Sequence, residues 1–316
     1  MAGATDVPEP SRRYLNHHLD STRWRVYEPR DDDIVVVTSI KSGTTWMQAI
    51  VRELIVEQVR QRPAGEAGDI PLPDSRSSCW PDARFAGPVA ALARQLAAQR
   101  HRRCLKSHLP LDGFPYDPRV TYVVVARDPR DVFMSLWNHY SHFTSEALAV
   151  VNRDLPPGVA ACPPCPEDLH TFWASWIGRG WFAWEHEGFP FWGNLHHTAT
   201  WWAYRHLPNV EFFHYAHLLA DPHREVARLA AHLGIALEPA SLQRVITATT
   251  LHAMRERHAG VRIWPPLEGG AKTFFNAGIN GRWRGVLTAE ELSIYEQVKR
   301  RVLPLECAAW LESDAP

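Results

Sequence analysis

Ile34-Val35-Val36-Val37-Thr38-Ser39-Ile40-Lys41-Ser42-Gly43-Thr44-Thr45-Trp46 is the stretch whose reading decides the fold. Its short β-branched run predicts a strand covered on both faces, as in a parallel sheet. Ser42-Gly43-Thr44 breaks that strand. Beyond it, Trp46, Ile50 and Leu54 form one i, i+4 row with Met47, Val51 and Ile55 beside it, which predicts an amphipathic helix to about Arg60. A strand that turns through a glycine into a helix presents unpaired N–H groups and the positive end of the helix dipole, and so offers an anion site. Gly43 permits close approach of backbone to anion, Ser42, Thr44 and Thr45 add hydroxyls, and Lys41 adds a full positive charge. The nucleotide-triphosphate loop needs Gly-Lys-Ser/Thr entering the helix, and here the lysine precedes the glycine. No position for a magnesium-holding Asp stands out, so no metal is expected.

Working outward, Cys104–His108 reads as a short strand stopped by Pro110, and Tyr122–Ala126 as another buried strand. Asp128-Pro129 and Asp221-Pro222 are cap-then-proline helix starts, and Asp131 adds negative charge to the first turn of its helix. Val210–Tyr215 reads as a strand, Val89–Gln99 and Ser241–Thr249 as helices, Gly234 as a helix terminator, and Glu290–Leu303 as the last helix. Gln61–Gly87 and 264–285 read as loops, and residues 145–170 show no clear period. Alternating strands and helices predict an α/β fold with a parallel sheet and right-handed crossovers. Residues 1–30 read as a polar N-terminal arm and 31–316 as one domain, with a Trp-rich insertion near 145–205.

The chain of 316 residues can bury a sizeable core. Lys plus Arg total 34 and Asp plus Glu 35, a net charge of −1, so no whole-molecule field for nucleic acid is expected. The N-terminus lacks a basic region followed by an apolar one, no stretch is long enough to span a membrane, and five cysteines are sparse. Together these point to a cytoplasmic protein with reduced thiols. Cys162-Pro-Pro-Cys165 reads as two thiols in a surface loop.

Lys41-Ser42-Gly43-Thr44-Thr45-Trp46 resembles the 5′-phosphosulfate loop of the cytosolic-type sulfotransferases, which use 3′-phosphoadenosine 5′-phosphosulfate (PAPS). Ala126-Arg127-Asp128-Pro129-Arg130-Asp131-Val132, with Ser135 eight residues after Arg127, resembles that family's 3′-phosphate site. Lys106-Ser107-His108-Leu109-Pro110 is similar to its segment carrying the catalytic histidine. The three occur in the family order, and the likeness runs from about Val35 to Arg284.

The resemblance implies a P-loop-like three-layer sandwich, a central parallel sheet flanked by helices. It implies metal-free transfer of a sulfonate group from PAPS to a hydroxyl. Lys41 would contact the bridging oxygen, where charge builds as the bond breaks. Gly43, Thr44 and Thr45 would hold the 5′-phosphate, and Arg127 and Ser135 the 3′-phosphate. Trp46 would stack on adenine or serve as a core knob, with Tyr215 and Thr249 on the adenine side. His108 would be the general base, and Lys106 would help neutralise the sulfonate.

One departure stands in the late glycine loop, Phe275-Asn276-Ala277-Gly278-Ile279-Asn280-Gly281-Arg282. Asn276 and Ala277 replace the family's basic pair. Backbone N–H groups at Ala277 and Gly278 still offer donors, and Lys272, Arg282 or Arg130 are the candidates to restore charge. The family's dimer motif is not recognisable around Thr288 to Glu291, so a homodimer is left open.

Seven of the 14 tryptophans lie between Trp173 and Trp202. They build either core or an aromatic wall for an apolar acceptor: an aryl compound, another hydrophobic small molecule, or a glycolipid that would also use Asn194, His196 and His197. A lipid acceptor would bring peripheral membrane contact. A small-molecule kinase using ATP and a non-catalytic nucleotide-binding protein are the alternative readings.

Overall fold

A computed structural model of the chain describes residues 7–62, 79–261 and 266–313. Among them, strands β1 (Ile34–Thr38), β2 (Cys104–Ser107), β3 (Thr121–Ala126) and β4 (Val210–His214) form one parallel sheet in the order β2-β1-β3-β4. Val36 of β1 lies opposite Lys106 on one side and Val123 on the other. The two central strands owe their all-apolar sequences to burial on both faces. Val35, Val37, Tyr122 and Val124 point into one core; Ile34, Val36, Val123 and Val125 point into the other. This is the period-2 alternation of a strand with two apolar environments.

Helices complete the two outer layers. In chain order they are α1 (Thr44–Arg60), α2 (Val89–Ala98), α3 (Pro129–Tyr140), α4 (Ser145–Val151), α5 (Leu169–Gly178), α6 (Asn194–Trp202) and α7 (Tyr215–Ala220). They continue as α8 (Pro222–His232), α9 (Pro239–Ala248), α10 (Leu251–Arg257), α11 (Gly270–Phe274), α12 (Ala289–Val302) and α13 (Leu305–Leu311). Met47, Ile50, Val51, Leu54 and Ile55 of α1 pack with Val226 and Leu229 of α8 and Val245 of α9 on one face. The opposite face carries Leu136 of α3, Trp173 and Trp176 of α5, Trp201 of α6 and Tyr295 of α12. The result is the three-layer sandwich expected from sequence. Both Asp-Pro starts are used as read: Asp128 accepts from the Arg130 N–H and Asp221 from the Arg224 N–H.

The structure departs from the sequence reading in several places, among them α11, which lies inside the stretch 264–285 read as loop. The stretch 145–170 contains α4, too short to show a period, and α13 restarts after Pro304 beyond the helix read as last. Residues 63–78 of the predicted Gln61–Gly87 loop lie outside the described residues. Cys162 is buried rather than on the surface, with its backbone N–H bonded to Asn152 Oδ1 (2.7 Å). The segment read as a polar arm is built into the core: Tyr14, Leu19 and Trp24 are at most 2% exposed. Trp24 Nε1–H donates there to Asp82 Oδ1 (3.0 Å). Trp24→Ala should therefore cost about 3–5 kcal/mol, read by denaturant unfolding. A change within about 0.5 kcal/mol would mark the segment as a detached arm after all.

Candidate active site

Each strand delivers a polar or charged residue just beyond its carboxyl end: Lys41 after β1, His108 after β2, Arg127 after β3 and Tyr215 after β4. All four line one cavity of about 260 Å³. Its place, beyond the carboxyl ends and beside the strand where the sheet order reverses, is where open α/β sheets bind ligands.

The anion end is built by the turn into α1. Gly43 is the N-cap at φ +110°, and a Cβ there would lie 2.9 Å from Tyr215 Cδ2, so glycine is required on both counts. Lys41 sits in the left-handed region at φ +64°, which is uncommon for a side-chain-bearing residue. Its Nζ lies 4.7 Å from the centre of the Phe274 ring, and Lys106 Nζ lies 4.4 Å from that of Trp80. Burial, helped by other cations nearby, pushes the Lys41 ammonium down to about 8; burial does the same to Lys106 despite Asp82. Thr44, Thr45, Trp46, Ser135 and Thr249 also line the cavity. Trp46 meets Tyr215 edge to face at 5.5 Å.

Ser42 does not join them. Its side chain is fully buried, its Oγ 2.7 Å from Ser39 Oγ, and Ser39 in turn accepts from the Asn194 side chain. The hydroxyl predicted to face an anion instead pins the loop to α6.

The late glycine loop closes the same end. Asn276, Ala277 and Gly278 line the cavity, Gly278 at φ +64°. Arg255 holds the loop from behind through the carbonyls of Phe275 (2.7 Å) and Asn276. Asp131, read from sequence as a first-turn charge, accepts the N–H groups of Gly281 (2.9 Å) and Arg282 (3.3 Å) and so fastens the loop to α3. Arg127 stacks 4.2 Å from the Tyr215 ring centre and donates to Asn280 Oδ1 (2.9 Å) and the Ile279 carbonyl (2.9 Å). Of the three cations considered as replacements for the missing basic pair, Arg282 lines the cavity. Arg130 is held by both oxygens of Asp128 and stacked on Trp283.

His108 stands at the other end. Its Nδ1–H donates to the Thr38 carbonyl (2.7 Å), which fixes the tautomer and leaves Nε2 bare. Burial first, then Lys106 and Lys41, push its pKa down to about 3, so the ring is neutral at ordinary pH. Thr38 Oγ1 also touches Thr44 Oγ1 (2.5 Å), which ties the histidine to the phosphate loop. Asp82 supports it from behind, accepting the His108 backbone N–H (3.0 Å) and the indole N–H groups of Trp24 and Trp80. Sequence reading missed Asp82 because it lies in a segment without period. Its neighbour Cys79 bridges to Leu105, which brings Trp80 beside Lys106.

The Trp-rich segment is mostly core. Trp173, Trp176 and Trp201 are at most 1% exposed, and among residues 172–202 it is Trp192 that lines the cavity. Asn194, His196 and His197 do not line it; His196 bonds Asp112 Oδ2 (3.0 Å). The apolar wall comes instead from Trp80, Phe85 and Trp192.

A family model described as Sulfotransferase domain matches residues 31–304. The chain belongs to the sulfotransferase family. Over 318 residues it is 33% identical to a glycolipid sulfotransferase of Mycobacterium bovis (strain BCG / Pasteur 1173P2), covering 94% of this chain and 93% of that one. It is 24% identical to sulfotransferase 1B1 of Mus musculus, covering 90% and 86%. Among solved structures, mouse sulfotransferase SULT7A1 complexed with PAP superposes with a TM-score of 0.64 at 16% identity, covering 92% of each chain. At that identity the likeness is one of fold. No helix among the described residues of this sulfotransferase is long and apolar enough to cross a membrane.

Lys41 and Lys106 carry their full charge below pH about 8 and lose it above, so affinity for inorganic sulfate should fall as pH rises through about 8. Titration calorimetry between about pH 6 and about pH 10 checks this; a flat affinity would contradict it.

Proposed function

We propose that this sulfotransferase transfers a sulfonate group from PAPS to a hydroxyl of an apolar acceptor, with His108 as general base. The observation that carries the reading is that Lys41 and His108 line one cavity, with His108 tied through Thr38 to Thr44 at the start of α1. The donor-side residues suit a molecule with phosphate at two positions. A glycine-capped helix start with Lys41 and Thr45 supplies one anion site, and Arg127, Ser135 and the Ala277–Gly278 backbone beside Arg282 supply a second. Trp46 and Tyr215 offer aromatic faces between them.

When bound, PAPS supplies an activated sulfonate. The chain's own residues would then act in order. Lys41 and Lys106 offset negative charge on the oxygens around sulfur. The lone pair of His108 Nε2 takes the proton of the acceptor hydroxyl as that oxygen attacks. Burial lowers the basicity of His108, and an anion beside Lys41 and Lys106 offsets the cationic part of that lowering. Trp80, Phe85 and Trp192 exclude water from the acceptor end. The names of the curated relatives favour an acceptor with a lipid portion. The five unpaired cysteines fit work in the reducing cytoplasm.

His108→Asn should lower kcat by roughly 10²–10⁴-fold while binding of adenosine 3′,5′-bisphosphate persists. Lys41→Met should lower kcat by roughly 10²–10³-fold. Transfer of radiolabel from PAPS to a panel of phenols, sterols and glycolipids checks both. Full turnover by His108→Asn would remove the histidine from the mechanism.

A further inference from the structure

Five aromatic side chains on the cavity wall form a closed ring. His108 meets Trp80 (5.0 Å between ring centres), Trp80 meets Phe85 (5.5 Å) and Phe85 meets His18 (5.5 Å). His18 then meets Trp192 (6.1 Å), which returns to His108 (5.4 Å). The two imidazoles are thus separated by Trp80 and Phe85 on one side and by Trp192 on the other. One imidazole, His108, has a task in the reaction; His18 has none so far.

The protonation of His18 follows from its neighbours. His17 Nε2 lies 2.7 Å from the Pro190 carbonyl, which can only accept, so Nε2 of His17 carries the proton. His17 is held neutral by burial, and its Nδ1 is therefore bare. That Nδ1 is 2.6 Å from Nδ1 of His18, which must donate. His18 is also held neutral by burial, so its Nε2 is bare in turn. No protein atom among the described residues bonds this Nε2, and it is not sealed from solvent. The chain Pro190–His17–His18 therefore presents a fixed hydrogen-bond acceptor at the wall of the same chamber as His108 Nε2.

Cys162 approaches the two histidines closely enough to suggest a metal site. The 2.6 Å between the two Nδ1 atoms is a shared-proton distance. Two ligands on a tetrahedral ion with bonds of about 2.0 Å stand about 3.3 Å apart. The pair is satisfied as a hydrogen bond.

We propose that His18 is a specificity-determining residue: its Nε2 accepts a hydrogen bond from a second hydroxyl of the acceptor, so that the site selects polyol head groups over single-hydroxyl alcohols. This rests on the transfer reading above. A bare, fixed acceptor set among the rings of Phe85 and Trp192 is left unpaired by a ligand without a second donor, which is how such sites reject near-isosteres. The apolar rings between the two imidazoles cover the carbon face of a sugar ring.

The test uses octyl β-glucoside and its monodeoxy analogues. Their affinity for the full chain with adenosine 3′,5′-bisphosphate is read by tryptophan fluorescence, and transfer is read with PAPS. In wild type, removal of one ring hydroxyl should weaken binding about tenfold. In His18→Phe that penalty should vanish, and in His18→Gln, which keeps an acceptor beside a donor to His17, most of it should return. Equal losses for every analogue in His18→Phe, or an unchanged penalty, would overturn the assignment. So would a wild type that distinguishes none of the deoxy analogues, an outcome that needs no variant to fold. The expected binding pattern without any sulfonate transfer would instead sink the transfer reading and leave the assignment of His18 standing.

Discussion

The structure depends on one short junction, the contacts of Thr38 at the carboxyl end of β1. Its carbonyl accepts the His108 Nδ1–H and its hydroxyl touches that of Thr44 at the start of α1. A single residue therefore fixes the tautomer of the imidazole and sets its position against the phosphate loop. That junction exists because β1 pairs in parallel with β2, so that both strands end at the same edge of the sheet. The edge is rigid because Ile34, Val35, Val36 and Val37 are fully buried. Burying each such side chain stabilises the fold by about 1.5–3 kcal/mol.

The electrostatics follow from the same burial. A cavity that holds Lys41, Lys106 and Arg127 together in a desolvated pocket disfavours their charged forms, and it pushes both lysines down. An anion that enters restores the charged forms of the two lysines. His108 is kept neutral by its own burial first and by Lys106 and Lys41 second. On the acceptor side, the hydrogen-bonded chain from Pro190 through His17 orients His18 in the same way that Thr38 orients His108.

Much of this was legible because it is local. The strand, glycine turn and helix from Ile34 to Arg60, and the capped starts at Asp128 and Asp221, are written in adjacent residues, and adjacent backbone geometry realises them. Lys41, Arg127 and His108 could be placed together because each follows a strand of one parallel sheet. What sequence did not reveal depends on distant partners. Ser42 stands in the motif, yet its hydroxyl is claimed by Ser39, which is bonded to Asn194 from α6. Asp82 is one acidic residue in a loop, and only the fold brings Trp24, Trp80 and His108 to it. The tryptophans between residues 173 and 202 have the composition of a binding wall, but the packing of α5 and α6 against the sheet places most of them in the core. His17 and His18 sit in a polar stretch whose burial has no periodic signature.

The central claim is that His108 waits as a neutral imidazole with Nε2 bare. Nitrogen-15 NMR of the protein labelled at histidine, at neutral pH, with the His108 signal assigned by comparison with His108→Asn, tests it most directly. The expected spectrum shows a protonated, pyrrole-type Nδ1 and an unprotonated, pyridine-type Nε2. A proton on Nε2, or on both nitrogens, would contradict it.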